Sequence, residues 1–133
     1  MRGLCSDGTI PAMARRVLIV DDSAGFRAQA RMLLVRAGYD VVGEAEDGLS
    51  GLRAARELVP EVVLLDVQLP DIMGFEVARL LHERPDPPAI ILISSREASD
   101  YGGGIDRSGA RGFISKAELS ARALETVLDG PER

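Results

Sequence analysis

The apolar positions of this chain gather into short, nearly unbroken runs: VLIV (17–20), VVLL (62–65), AIILI (89–93) and GFI (112–114). Runs of this length, rich in Val and Ile, read as strands buried on both faces of a parallel sheet. The first strand is expected over Arg16–Val20, the third over Glu61–Leu65, the fourth over 89–93 and the fifth over Gly112–Ile114. A second strand over Asp40–Ala45 is less apolar, which suits a sheet edge. Between the strands the apolar spacing widens to that of helices. After Ser23, an N-cap, Phe26, Ala30, Leu33, Leu34 and Ala37 hold one buried face until Gly38 stops the helix. Asp47-Gly48 opens a helix to about Leu58, burying Leu52, Ala55 and Leu58 before Pro60. Gly74 opens another to about His82, burying Phe75, Ala78 and Leu81. Pro85, Pro87 and Pro88 enforce a linker. A last helix over about 117–128 turns Leu119, Ala123, Leu124, Val127 and Leu128 inward and stops at Gly130-Pro131. The alternation is (βα)5, and right-handed crossovers put helices on both faces of the sheet.

One crossover breaks the pattern. Segment 96–110 (REASDYGGGIDRSGA) should be helical by its place in the alternation, yet it holds Gly102, Gly103, Gly104 and Gly109. Interior glycines cost about 1 kcal/mol each relative to alanine, so 102–104 withdraw roughly 3 kcal/mol of helical stability. A short, frayed or partly unwound helix is expected there.

The polar residues that end the apolar runs carry the chemistry. Asp21-Asp22 follow the first strand, Asp66 the third, Ser94 the fourth, and Ser115-Lys116 the fifth. In open α/β sheets ligands bind beyond the carboxyl ends of the strands, so three carboxylates, a hydroxyl and an ammonium converge on one rim. Carboxylates within about 4–6 Å of one another resist joint ionisation, and a divalent cation removes that conflict. Mg2+ suits such a site, because it takes one or two carboxylates plus waters and phosphate oxygens. Lysine adds a mobile point charge and serine a hydrogen-bond donor. The combination points to phosphoryl transfer. Taken singly, acidic residues after strands are often N-caps or solvated turns, and Lys116 a surface charge. The set in order, each at a strand end, carries the reading.

Length and composition bound the remaining possibilities. At 133 residues the chain is one ordinary domain, and the longest apolar runs fall far short of a membrane span. A formal charge of −5 argues against direct nucleic-acid binding, which relies on clustered Lys and Arg. A single cysteine, Cys5, makes no internal disulfide and fits a reducing cytoplasm. Residues 1–14 lack apolar period and read as a disordered leader, with Met13 an alternative start; 15–130 form the domain and 131–133 a tail. His82 complements the end of its helix and reads as structural.

The motifs match a known family. The acidic pair Asp21-Asp22, the spacing Pro60-x5-Asp66-x3-Pro70-x3-Gly74, Ser94, and Phe113-Ile114-Ser115-Lys116 together resemble the receiver domain of bacterial two-component response regulators. The resemblance covers about residues 15–129 and implies a CheY-like, flavodoxin-like sheet of order 2-1-3-4-5. It implies that Asp66 accepts a phosphoryl group from a sensor histidine kinase or phosphotransfer protein. Asp22, Asp66 and the backbone carbonyl of Gln68 would hold Mg2+, with Asp21 acting mainly through water. Lys116 would pair with Asp66 and then with the phosphoryl oxygens. Ser94 would move inward to the phosphoryl group, Phe113 would be the coupled aromatic switch, and Gln68 and Arg96 would tune hydrolysis. The fourth helix, fifth strand and last helix would form the signalling surface, with homodimerisation on phosphorylation a further implication. The chain departs from the family at Ser95, at Phe113, which lacks a tyrosine hydroxyl, and at Ala117, where many members have proline. Its GARGFISK stretch resembles receivers that precede helix-turn-helix output domains, and after Leu128 only a short stretch remains.

Other functions fit less well. A phosphorylation-independent adaptor of the same fold would not need Asp66, Ser94 and Lys116 together. An aspartate-based phosphatase resembles a D-x-D motif after the first strand, whereas Asp21-Asp22-Ser23 is adjacent. A flavin-binding protein of this fold would carry a Ser/Thr/Gly-rich loop after the first strand, and none is present.

Overall fold

The structure, a computed structural model, describes residues 14–130. The expectations for the leader and tail fall outside them, Ala14 apart. Five parallel strands run in the order β2-β1-β3-β4-β5: β1 (Arg16–Val20), β2 (Asp40–Ala45), β3 (Val62–Asp66), β4 (Ala89–Ser94) and β5 (Gly112–Ser115). β2 lies at an edge, as its polarity suggested, and β5 at the other. The crossovers carry α1 (Ala24–Arg36), α2 (Gly48–Leu58), α3 (Gly74–His82), a 3-10 turn (Ala98–Tyr101) with α4 (Gly104–Arg107), and α5 (Ala121–Asp129).

Strand side chains alternate between two cores, because successive Cβ atoms point to opposite faces. Leu18, Val20, Val63, Leu65, Ile90 and Leu92 pack with Ala55, Val77, Ala78, Leu81 and Ile105 of α2, α3 and α4. Val17, Ile19, Val62, Leu64, Ile91, Ile93 and Ile114 pack with Ala30 and Leu34 of α1 and Leu124 and Leu128 of α5. The three central strands are almost wholly buried. They therefore form a rigid floor for the rim above.

Several boundaries differ from the sequence reading. β3 runs one residue further and includes Asp66, which thereby inherits the strand's fixed backbone. Ala37 is an exposed helix cap rather than part of the buried face of α1. In α3 it is Val77, Ala78 and Leu81 that are buried, while Phe75 is half-buried and packs at the margin. α5 begins at Ala121, not at 117. Residues Lys116–Glu118 form a 3-10 turn, and Ser120 caps the helix by accepting the Ala123 N–H. The peptide after Lys116 is trans, as are all the others described.

The opposite end of the sheet is stapled by arginine. Arg16 donates to the carbonyl oxygens of Leu58 and Val59, closing the end of α2. Val59 there adopts φ 47°, the sole left-handed non-glycine residue among those described. Arg111 reaches from the start of β5 to the Leu128 and Gly130 carbonyls.

Candidate functional site

Strand register decides which side chains meet. Val20 pairs with Leu65, Asp66 with Ile93, and Ser94 with Ser115. Asp21 thus lies beside Asp66, Ser94 one step beyond, and Lys116 just past the end of β5. The sheet brings together Asp21, Asp22, Asp66 and Lys116. One oxygen from each of the three carboxylates lies within 4.8 Å of the others.

Burial sorts these acids. Asp21 is fully buried and Asp66 is 4% exposed, while Asp22 stands in solvent at the mouth. Asp21 accepts the Ser23 N–H at 2.8 Å through Oδ1, which fixes the turn into α1. Asp66 Oδ1 accepts the Gln68 N–H at 3.2 Å. Lys116 Nζ sits 2.8 Å from Asp21 Oδ2 and 3.6 Å from Asp66 Oδ2, and 4.5 Å above the Phe26 ring. Burial pushes the Asp66 carboxyl up to about 6, the neighbouring Asp21 adding to the shift and Lys116 opposing it. One ammonium therefore does not satisfy two buried carboxylates. Asp21 Oδ2 has no hydrogen-bond donor aligned on it, the nearby lysine supplying charge alone. A hard divalent cation fits this oxygen-only, charge-rich donor set, and the acidic pocket can hold one.

The loop after β3 is anchored from two sides. Val67 N–H donates to Ile93 O and Gly74 N–H to Val67 O. A Cβ on Gly74 would lie 2.2 Å from the Asp66 carbonyl oxygen, so α3 can begin this close to the acceptor strand only with glycine there. Asp71 accepts the Gly48 and Leu49 N–H groups at the start of α2, which hold its carboxyl below the usual range. Gln68 and Arg96 are exposed at the mouth. Arg27 of α1 donates to the Asp21 carbonyl and to Glu44. Ser94 is fully buried and hydrogen-bonds the Tyr101 hydroxyl at 2.6 Å. Phe113 is half-buried against the Tyr101 ring, 6.0 Å between centroids.

Arg27, Asp71 and Tyr101 escaped the sequence reading, and Phe26 reads there only as part of a helix face. Asp71 meets α2, 23 residues back, and Arg27 meets Glu44, 17 residues on, so no local spacing marks these contacts. Tyr101 did leave a trace, a lone aromatic beside the glycine triplet. A groove of about 620 Å3 runs beside Lys116 between α1 and the stretch leading into α5, lined by Phe26, Gln29, Leu33 and Leu119.

Comparison with known proteins follows the same outline. A response regulator receiver domain profile matches residues 17–128. The chain is 35% identical to the virulence-factor transcription regulator BvgA of Bordetella pertussis over 80% of its length and 51% of that protein's. It is 30% identical to the chemotaxis protein CheY of Thermotoga maritima, covering 86% of this chain and 96% of that one. Among solved structures it resembles a LuxR-family two-component response regulator from an Aurantimonas species, with TM-score 0.79 and 31% identity over 90% and 88% of the two chains. The receiver domain of NarL from Mycobacterium tuberculosis gives a TM-score of 0.76 at 30% identity, over 89% and 98%. The chain thus spans about half the length of the first of these curated relatives and nearly all of the second.

Proposed function

The chain belongs to the response regulator receiver domain family, and from that premise we propose that Asp66 is its phosphoacceptor. Receiver domains are regulatory modules that take phosphate from histidine kinases. The observation that carries the assignment is the Asp66 carboxylate itself. It ends a fully buried central strand, is crowded by Asp21 and Asp22, and faces Lys116. An Asp66 oxygen attacks phosphorus, the donor's histidine N–P bond breaks, and an acyl phosphate forms on the carboxylate.

Asp21, Asp22, Asp66 and the Gln68 backbone carbonyl would hold Mg2+, which supplies positive charge against the transferred phosphoryl oxygens. Lys116 is free to follow that charge, because its ammonium is a point charge on a flexible stem. Ser94 donates to the phosphoryl group and Phe113 repacks in response, while exposed Gln68 and Arg96 stand where they can govern water access. Self-dephosphorylation ends the signal. The changed surface comprises α4, β5 and α5, read by an output partner, by a further output domain of a longer protein, or by a second copy in a homodimer. The groove beside Lys116 offers the phosphodonor protein a surface next to the acceptor. We place the domain at 15–130, with leader 1–14 and tail 131–133, in the cytoplasm and without direct nucleic-acid contact. Among the described residues no helix is long and apolar enough to cross a membrane.

Intact-mass measurement after incubation with Mg2+ and acetyl phosphate tests the assignment. One phosphoryl adduct is expected on the native chain and none on Asp66→Asn. An adduct that persists on that variant overturns it.

A further inference from the structure

We propose that Tyr101 is a positioning residue for Ser94: its phenol ties down the Ser94 hydroxyl in the unphosphorylated domain and must release it when the phosphoryl group arrives. The inference rests on Asp66 as acceptor, and adds a second aromatic to the switch.

The geometry is built from several independent pieces. Ser94 is fully buried, and its Oγ lies 2.6 Å from Tyr101 Oη while also accepting the Arg96 N–H at 3.1 Å. A serine has one hydrogen to donate, and a phosphoryl oxygen only accepts. Whichever partner donates in the resting pair, a contact this short ties Ser94 to the place where Tyr101 sits. That place is well defined. The Tyr101 ring stands edge-on to Phe75 of α3, 5.3 Å and 83° apart, and tilted against Phe113 of β5. Phe113 has no hydroxyl, so within this cluster the phenol comes from the β4–α4 crossover.

The glycines explain how Tyr101 reaches the site. Gly102 adopts φ 58° and ψ −127°, a conformation that L side chains rarely enter, and it ends the 3-10 turn directly after Tyr101. A Cβ on Gly104 would crowd the Phe75 ring at 3.0 Å, so α4 settles against α3 only because that position is bare. The triplet is thus a sharp corner that points a phenol at Ser94. Withdrawing Ser94 removes one of the few anchors of this crossover, where residues 95–100 are all exposed. The serine's movement is thereby transmitted to α4 without any demand on Phe113.

The test uses the full chain with beryllofluoride and Mg2+ as the phosphoryl mimic. Tyr101→Phe keeps the ring and deletes the latch, leaving the resting Ser94 hydroxyl with the Arg96 N–H alone. Beryllofluoride, followed by 19F NMR, should bind this variant about two- to tenfold more tightly, the range a net neutral hydrogen bond carries. In a Ser94→Ala background the same change should have no effect, because the interaction is already absent. The chain has two tyrosines and no tryptophan. In Tyr39→Phe, tyrosine emission therefore reports Tyr101 alone and should shift as beryllofluoride saturates. Unchanged or weaker binding by Tyr101→Phe, an equal effect without Ser94, or emission that does not move would each overturn the latch. Failure of the native chain to take beryllofluoride or a phosphoryl adduct at all would instead overturn the acceptor assignment, and the latch with it.

Discussion

The crossovers after β3 and β4 leave neighbouring strands at the same rim and are held in opposite ways. After β3 the chain stays in the protein: Val67 is fully buried, its N–H bonds β4, and Asp71 clamps the loop to α2. α3 then buries Gly74, Val77, Ala78 and Leu81. After β4 the chain runs through three exposed residues into a 3-10 turn that is itself largely exposed, and α4 is a single turn burying Ile105. Ser108 closes it by donating to the Ile105 carbonyl. The difference separates two requirements. Phosphoryl transfer needs an acceptor that does not move, since misplacement is costly. A signal needs an element whose rearrangement is cheap, drawn from the low-stability end of the molecule.

Hydrogen exchange probes this contrast where it should be largest. Amides of Val77–Leu81 should open with nearly the global free energy, several kcal/mol above those of 98–108, which should exchange fast and slow down with beryllofluoride and Mg2+. Strong, unresponsive protection across 98–108 would break the comparison. Next in size comes the backbone. Gly74→Ala forces a Cβ against Asp66 O and, at 2.8 Å, Val67 Cα, and should cost about 3 kcal/mol in urea unfolding. Gly103→Ala meets just the flexible end of Arg107 and should stay within about 0.5 kcal/mol. Similar losses at the two would mean that the crossovers are equally tight.

Titration sharpens the acceptor side. With its carboxyl raised to about 6 against an ordinary 3.8, folded Asp66 keeps a proton that the unfolded chain has released. In chelator, its contribution is therefore full below about pH 4 and lost as pH climbs through 6, roughly 3 kcal/mol in all. Glu44 and Asp71 are shifted downward and act in the opposite sense, so melting curves of native chain and Asp66→Asn must be compared. Parallel pH profiles would refute the crowded-acid picture. The smallest effect is that of the cation. At a tenfold excess over its dissociation constant Mg2+ should stabilise by about 1.4 kcal/mol, and Asp22→Ala should blunt this. Exchange at 98–108 should not respond to Mg2+ alone.

Much of this was legible in the sequence, because the central strands need no context. VLIV, VVLL and AIILI are apolar on both faces, so their burial and the rim at their ends follow directly, and the glycine triplet foretold a broken fourth helix. What escaped depends on contacts across the fold. Nothing local says that Asp71 will cap α2, 23 residues back, or that α5 will begin at Ala121, capped by Ser120, rather than at 117. Tyr101 is the sharpest case. Counting glycines showed that the helix would be weak, whereas the packing of Gly104 on Phe75 shows that the weakness brings a hydroxyl to Ser94.

Lys116 is the chain's one lysine, and several arginines fix the frame in place. Arg16 and Arg111 each grip two carbonyl groups, and Arg79 grips Glu76 and Glu83. The fork-shaped cation serves where geometry must hold, and the point charge where it must travel. In covalent terms, a reagent selective for side-chain amines has a single target here, and its side chain is 22% exposed beside the acid cluster. Acylation there would cancel the charge that Asp21 and Asp66 share and leave every guanidinium staple untouched. Peptide mapping after such labelling would show one modified side chain, and prior beryllofluoride should shield it.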